Sequence, residues 1–407
     1  MHYDIHFRSD IKEKITEVVG DIHDWNASEA PSDDTIQKLA AYVTPFEHCV
    51  IPDRPFLMAG ADGSGDFPCV RYGDSFVYLV TAMARLYEAS ASGKLIEQEV
   101  KSADVADFMW MPELKKDDPR KNGYYTDFFA QLVGEPLEDV VEKSDFYRIA
   151  RKHGCSATSA QGLLPNLITP DAHDADNIGI QLLSTAECSV LIRLMQSVDT
   201  HGLPAYFIED TTMSLPMLAG KNTLFFGILK RYACVVAREK GYTFMTLSKS
   251  HNMPHMDQIE EMIRTKIPSG EHWFMRIPAK STGDTEPEFL EGRLIPPHGA
   301  VTYLFKLHKT TQPMRLDLDI EYWTQHIYSD DKAVQQQREI QLFRDIDFAS
   351  HDQRCYGYPY PIKACHDMAS MTDDERIAMR NQIINEAVKA GLKRKNFVDP
   401  SIPTGHK

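Results

Sequence analysis

The sequence predicts a mixed α/β fold, with helices flanking one mixed β-sheet, and three observations lead there. An apolar run at residues 55–61 is followed by two more extended runs separated by a turn, as in an antiparallel meander. From residue 181 onward, segments of helical period alternate with short apolar strands. The chain has 407 residues, 43% hydrophobic and 25% charged, the composition of a globular protein large enough for an extended core.

Each element follows in order. Residues 1–50 place apolar side chains at helical spacing over Ile11–Val19 and Asp34–Val43. The first strand, Pro55–Ala61, runs into Asp62-Gly63-Ser64-Gly65, and strand patterns return at Phe67–Arg71 and Ser75–Leu86 around the turn Gly73-Asp74. Residues 92–180 are rich in Asp, Glu, Lys and Gly with short helical patches such as Leu137–Lys152; they read as an acidic, largely helical insertion between two parts of a core, in a chain whose length suits two or three units or one elaborated domain. Gln181–Val198 is an apolar-periodic helix and Leu203–Glu209 a strand. Asn222 is placed to cap a helix running to Lys240 and stopped by Gly241. Strands follow at Tyr242–Leu247, Trp273–Ile277, Val301–Lys306 and Met314–Ile320. The end is helical over Asp331–Phe348, Ile362–Met368 and Thr372–Ala390.

The formal charge is −15, and all but one unit of that excess lies in residues 1–180. An acidic chain is a poor general polyanion binder, yet residues 219–251 hold six basic residues and one acid, which suggests a local basic channel. No apolar stretch approaches the ~20 residues of a membrane span, and the charged start MHYDIHFRSD lacks a signal-peptide core. Seven scattered cysteines, none in CxxC spacing, fit reduced thiols in a cytoplasmic protein. P-loop, GxSxG and dinucleotide glycine motifs are missing.

Asp62 closes an apolar strand and precedes Gly63, which permits close approach of a ligand, although Asp-Gly-Ser is also an ordinary turn former. Asp210 ends the strand Ala205–Asp210, and alternation lets only one of Glu209 and Asp210 share a site with Asp62. Glu187 lies among Leu183, Val190, Leu191 and Leu194 on a helix, where an unpaired carboxylate is costly; a metal ion or an arginine such as Arg193 would remove the cost. Three such carboxylates suit oxygen ligation of Mg2+ or Mn2+. His366, one helical turn after Ile362, is either a core histidine or a site residue, and Lys249 either a solvated lysine or a charge at a strand end. His251-x-x-x-His255 has metal spacing, but Pro254 interrupts the helix that would align it.

These pieces, in this order, resemble the NurA family of nucleases: a strand with Asp62-Gly63-Ser64, the Glu187 helix, the strand ending at Asp210, a Ser248-Lys249 turn, and Tyr358-Pro-Tyr-Pro-Ile-Lys-Ala-Cys-His366 before a closing helix. The resemblance covers about 55–91 and 181–392, which implies a single domain with this core, the 92–180 insertion and an N-terminal helical segment at 1–50; it departs at Thr211, where the family often has glycine, and in the length of 92–180. It implies an RNase H-like core, a Mn2+- or Mg2+-dependent deoxyribonuclease using two ions, a homodimer, and partnership with a HerA-type hexameric ATPase. Asp62, Glu187, Asp210 and His366 would hold metal, Tyr358 and Lys249 would complete the catalytic site, and Lys230, Arg231, Arg238 and Lys249 would contact DNA. Two other readings stand beside it. One is a catalytically weak subunit that docks on the ATPase ring; the other is a kinase-like phosphate-binding turn at Asp-Gly-Ser-Gly.

Overall fold

A computed structural model describes residues 5–28, 31–73, 75–101, 103–112, 118, 120–152, 175–213, 224–251, 253–287, 289 and 299–398. Asp74 and Asn222, invoked above, and Lys221, one of the six basic residues in 219–251, lie outside the described residues. Helix α1 spans Ile5–Ser28 and α2 Asp33–Leu39, followed by strand β1, Val43–Pro45. Strands β2 (Phe56–Tyr72), β3 (Ser75–Ala89), β4 (Leu95–Glu97) and β5 (Val105–Pro112) precede helices α3 (Arg120–Val133), α4 (Leu137–Lys143) and α5 (Phe146–Lys152). Then come α6 (Ala175–Ser197), β6 (Ala205–Glu209), α7 (Leu224–Lys240), β7 (Thr243–Ser248), α8 (Met256–Lys266), β8 (Trp273–Arg276), β9 (Ala300–Lys306) and β10 (Met314–Asp319). The chain ends in α9 (Lys332–Ala349), the short hairpin β11 (His351–Asp352) and β12 (Cys355–Tyr356), α10 (Tyr360–Ala369), α11 (Asp373–Lys389) and β13 (Phe397–Val398).

The described residues form a mixed eleven-stranded sheet in the order β1-β8-β9-β10-β7-β6-β2-β3-β4, with β13 paired to β2 and β5 to β3. Its middle is parallel: β6 lies between β2 and β7 and runs with both. Because side chains alternate along a strand, the two faces bury different sets. Leu57, Ala59, Ala61 and Phe207 face α6 and α7 in one core, whereas Phe56, Met58, Tyr206 and Ile208 face α9 and α10 in another. Helices on both faces give three layers. Local chemistry sets several ends. Gly241, at φ 74°, closes α7 with amide bonds from Gly241 and Tyr242 back to Arg238 and Ala237. Thr372 and Glu375 form a reciprocal capping box that starts α11.

Two expectations change. Asp62-Gly63-Ser64-Gly65 is no turn: β2 continues through it, pairing Asp62 with Met83 and Gly65 with Val80. The glycines admit close neighbours, since a Cβ on Gly63 would lie 2.6 Å from Leu183 Cδ1 and 2.8 Å from the Thr81 carbonyl. Nor does the acidic stretch stand outside the core. β5 pairs with β3 over eight residues, and Phe128, Phe129, Leu132, Val133, Leu137 and Val140 are buried with α6 and α7. α1 differs from the other helices: Ile11, Ile15, Val18, Ile22 and Trp25 recur at steps of four and three and are all exposed.

Candidate active site

The site forms where the parallel strands finish. β6 stops pairing with β2 at Ala61–Glu209, so Asp62 lies one residue beyond, on the face turned to α10. Gly60 shares that face and brings α10 close; a Cβ there would sit 2.4 Å from the Ile362 nitrogen and 2.5 Å from the Pro361 carbonyl carbon. Pro361 occupies the first turn of α10, where its missing N–H costs nothing. That docking carries His366 to Asp62, with Nδ1 2.8 Å from Oδ2, while the Gly63 amide donates to Asp62 Oδ1 at 2.8 Å.

Asp210 follows the end of β6 on the same face. Its Oδ2 accepts from Lys249 Nζ at 3.2 Å, and the Lys249 ammonium lies 4.5 Å from the centre of the Tyr358 ring. Glu187 enters from α6 on the other face, its Cγ 3.1 Å from the position a Cβ on Gly63 would take. Behind it Glu209, fully buried, pairs with the buried Lys230 at 3.7 Å. The ammonium also donates to the Thr211 hydroxyl and the Thr212 carbonyl. Thr211, the departure from the family pattern, thus helps seat this lysine.

The electrostatics are those of crowded carboxylates. Burial raises the Asp62 carboxyl; the Gly63 amide lowers it, and Asp210 raises it again. Glu187 is pushed well above the ordinary carboxylate value by burial and then by Asp62, Glu209 and Asp210, with Lys230 opposing. Burial, then Asp210, also raises the Tyr358 phenol. The six expected residues therefore gather in one region. Their ligand atoms are spread: among the described residues, no three of Asp62, Glu187, Asp210 and His366 bring such atoms within 4.8 Å of one another.

The expected basic channel is corrected. Lys230 and Arg231 are 2% and 3% exposed, which removes them from any DNA surface. Arg231 donates to Asp145 at 2.7 and 2.9 Å, to Asp319 at 2.7 Å and to the Gly299 carbonyl; Arg238 pairs with the same two aspartates. These arginines hold β10 and the start of α5 to α7. Lys249, 61% exposed at its side chain, is the one of the four expected DNA contacts left at the surface. The His251/His255 pair is not a metal site either. His251 Nδ1 accepts from the Met253 amide, and His255 caps α8 at φ 54°. Sequence reasoning missed Lys230 and Glu209 as the charge pair behind the site. Their only signal was a lysine placed among apolar residues in the middle of α7.

No family model and no curated protein matches the chain. Solved structures with a related path include the NurA nuclease from Sulfolobus solfataricus (13% identity, TM-score 0.43, covering 95% of this chain and 98% of that one). Others are NurA with manganese (12%, 0.38, 95% and 99%) and NurA bound to dAMP and manganese (11%, 0.40, 94% and 98%). Likeness at this level says nothing about activity. No described helix is long and apolar enough to cross a membrane.

Proposed function

We propose that the protein is a metal-dependent deoxyribonuclease that hydrolyses phosphodiester bonds on an RNase H-like core. In this reading it acts as a homodimer with a HerA-type hexameric ATPase in DNA end processing, repair or defence. The observation that carries the proposal is the gathering of Asp62, Glu187 and Asp210, from two parallel strands and a helix, beside His366 and Lys249. The sequence motifs that resemble NurA name the partner and the substrate. The exposed apolar seam of α1 supports the dimer.

The donor set fits a divalent cation. Carboxylate oxygens suit Mg2+ or Mn2+, and Glu187 is buried among carboxylates whose repulsion a cation would offset. Held by Asp62, Glu187 and Asp210, one or two such ions would supply the Lewis acidity that phosphodiester hydrolysis needs. The chain's own residues do the rest. His366 commits Nδ1 to Asp62, which fixes the ring and leaves Nε2 to hold or move a proton on the attacking water or leaving oxygen. Lys249, held over Tyr358, offers its charge to a phosphate oxygen. Since Asp62 and Glu187 keep their protons to higher pH than ordinary carboxyls, cation binding and cleavage are expected to rise with pH through the window above the usual carboxylate range.

The weakly catalytic docking subunit is the second reading. It is favoured by one observation: His366 and Lys249 already engage Asp62 and Asp210. Linear DNA incubated with the purified chain and Mn2+, with and without the ATPase, separates the two. Cleavage by the wild type that Asp62→Ala abolishes, with fold and dimer intact, supports the nuclease. Undiminished cleavage by Asp62→Ala refutes the site, and no cleavage in either mixture leaves the docking role.

A further inference from the structure

Four side chains from three separate stretches of the chain form a second cluster. β1 and β8 pair antiparallel with Pro45 opposite Trp273, and the Phe46 amide donates to the His272 carbonyl. The loop after β1 and the residue before β8 are thereby joined, which sets the rings of His48 and His272 with centroids 5.0 Å apart. The last turn of α9 adds Asp347, and β11 opens with His351, its ring centroid 4.3 Å from that of His48. Each residue offers one ligand atom, and the four atoms lie within 4.8 Å of one another.

The hydrogen bonds leave this cluster incomplete. Asp347 is fully buried; its Oδ2 accepts from His48 Nδ1 at 2.8 Å and from the Cys49 amide at 2.7 Å. Its Oδ1 lies 3.0 Å from His351 Nδ1 and 3.6 Å from His272 Nε2, yet neither this oxygen nor His272 Nε2, both buried, makes a well-formed hydrogen bond. His351 Nδ1 donates to the Asp347 carbonyl, which leaves Nε2 with its lone pair. His272 is held at φ 56°, in the left-handed region. A buried imidazole nitrogen facing a carboxylate oxygen with no hydrogen bond between them is a costly arrangement without a third party.

We propose that His48, His272, Asp347 and His351 form a metal site that takes a borderline transition metal, Zn2+ in class. Imidazole with one carboxylate suits Zn2+, and four protein ligands describe a closed, structural centre and not a catalytic one. The ion ties together the loop after β1, the start of β8, the end of α9 and the β11–β12 hairpin. That hairpin leads directly to Tyr358 and α10, so the tie steadies the segment that presents His366.

The test uses full-length protein stripped with a chelator and titrated with Zn2+ alone, in the Asp62→Ala background so that the carboxylate cluster is disabled. One Zn2+ per chain is expected, with a raised unfolding temperature. His48→Gln and His351→Asn are each expected to weaken binding by roughly ten-fold or more. His48 is 38% exposed at its side chain, and Gln keeps an N–H donor for the buried Asp347, so this replacement is expected to leave the fold intact. No Zn2+ binding, with the cluster satisfied as a protonated His–Asp group, overturns the site. Binding that neither substitution alters overturns it as well.

Discussion

Gly60 is where fold and site depend on a single missing methyl group. In Gly60→Ala the new Cβ would meet the Ile362 nitrogen at 2.4 Å, the Pro361 carbonyl carbon at 2.5 Å and Ile362 Cα at 2.7 Å, all backbone atoms. Restoring ordinary contact at 3.4 Å requires the first turn of α10 to retreat by about 1 Å. Carried rigidly along the helix, that retreat stretches the 2.8 Å His366–Asp62 contact to about 3.8 Å, beyond a hydrogen bond. Overpacking of this kind costs about 1–3 kcal/mol, and a misplacement of that size costs on the order of 100-fold in rate. The assay pairs Mn2+-dependent cleavage of linear DNA with a thermal melt. The control is Gly20→Ala, in the middle of α1, where a Cβ meets nothing within 4 Å and both readouts hold or improve. Wild-type rate and stability in Gly60→Ala would refute the claim that α10 docking sets the site.

Three further outcomes are expected. Arg231→Met strips Asp145 and Asp319 of their best-placed partner and lowers unfolding stability in a denaturant titration by about 3–5 kcal/mol, with DNA affinity of the folded protein unchanged; an unchanged midpoint would count against the network. Asp345, fully buried, has its carboxyl pushed up to about 6 from 3.8 chiefly by burial, so its stabilising contribution is present below the ordinary value and lost as pH rises through about 6. Asp345→Asn is therefore expected to raise stability by at most about 3 kcal/mol above that pH and to leave it unchanged near pH ~4 in parallel melts; a gain independent of pH would contradict the burial. Ile15→Asp with Ile22→Asp on α1 is expected to yield a monomer by sedimentation with the same melting temperature, and an unaltered mass would remove α1 from the interface.

Legibility in the sequence followed the range of the interaction. Most strands and helices from 203 to 390 could be read because period and caps are local, and their boundaries fall within a few residues of the expected ones; α8, whose first turn follows Pro254 and has no side-chain cap, and the two-residue strands β11 and β12 were not expected. Asp62-Gly-Ser-Gly misled because glycine signals both turns and close packing; only the position of Leu183 and the Thr81 carbonyl, set by the tertiary fold, chooses packing. β5 hid its alternation since its outward residues Phe108 and Trp110 are themselves apolar, 49% and 54% exposed. The basic run in α7 looked like a DNA surface as its acids lie far off in the chain: Asp145 is 86 residues before Arg231 and Asp319 88 after it. A charge seen without its partner reads as solvent-facing, and burial reverses the meaning. The histidine cluster is the extreme case. His48 and Asp347 are 299 residues apart, and the sole local sign is the four-residue step from Asp347 to His351. The grouping of Asp62, Asp210 and His366 was expected on other grounds: local signals left Asp62 and His366 open, and only the order of motifs resembling NurA joined them into one site.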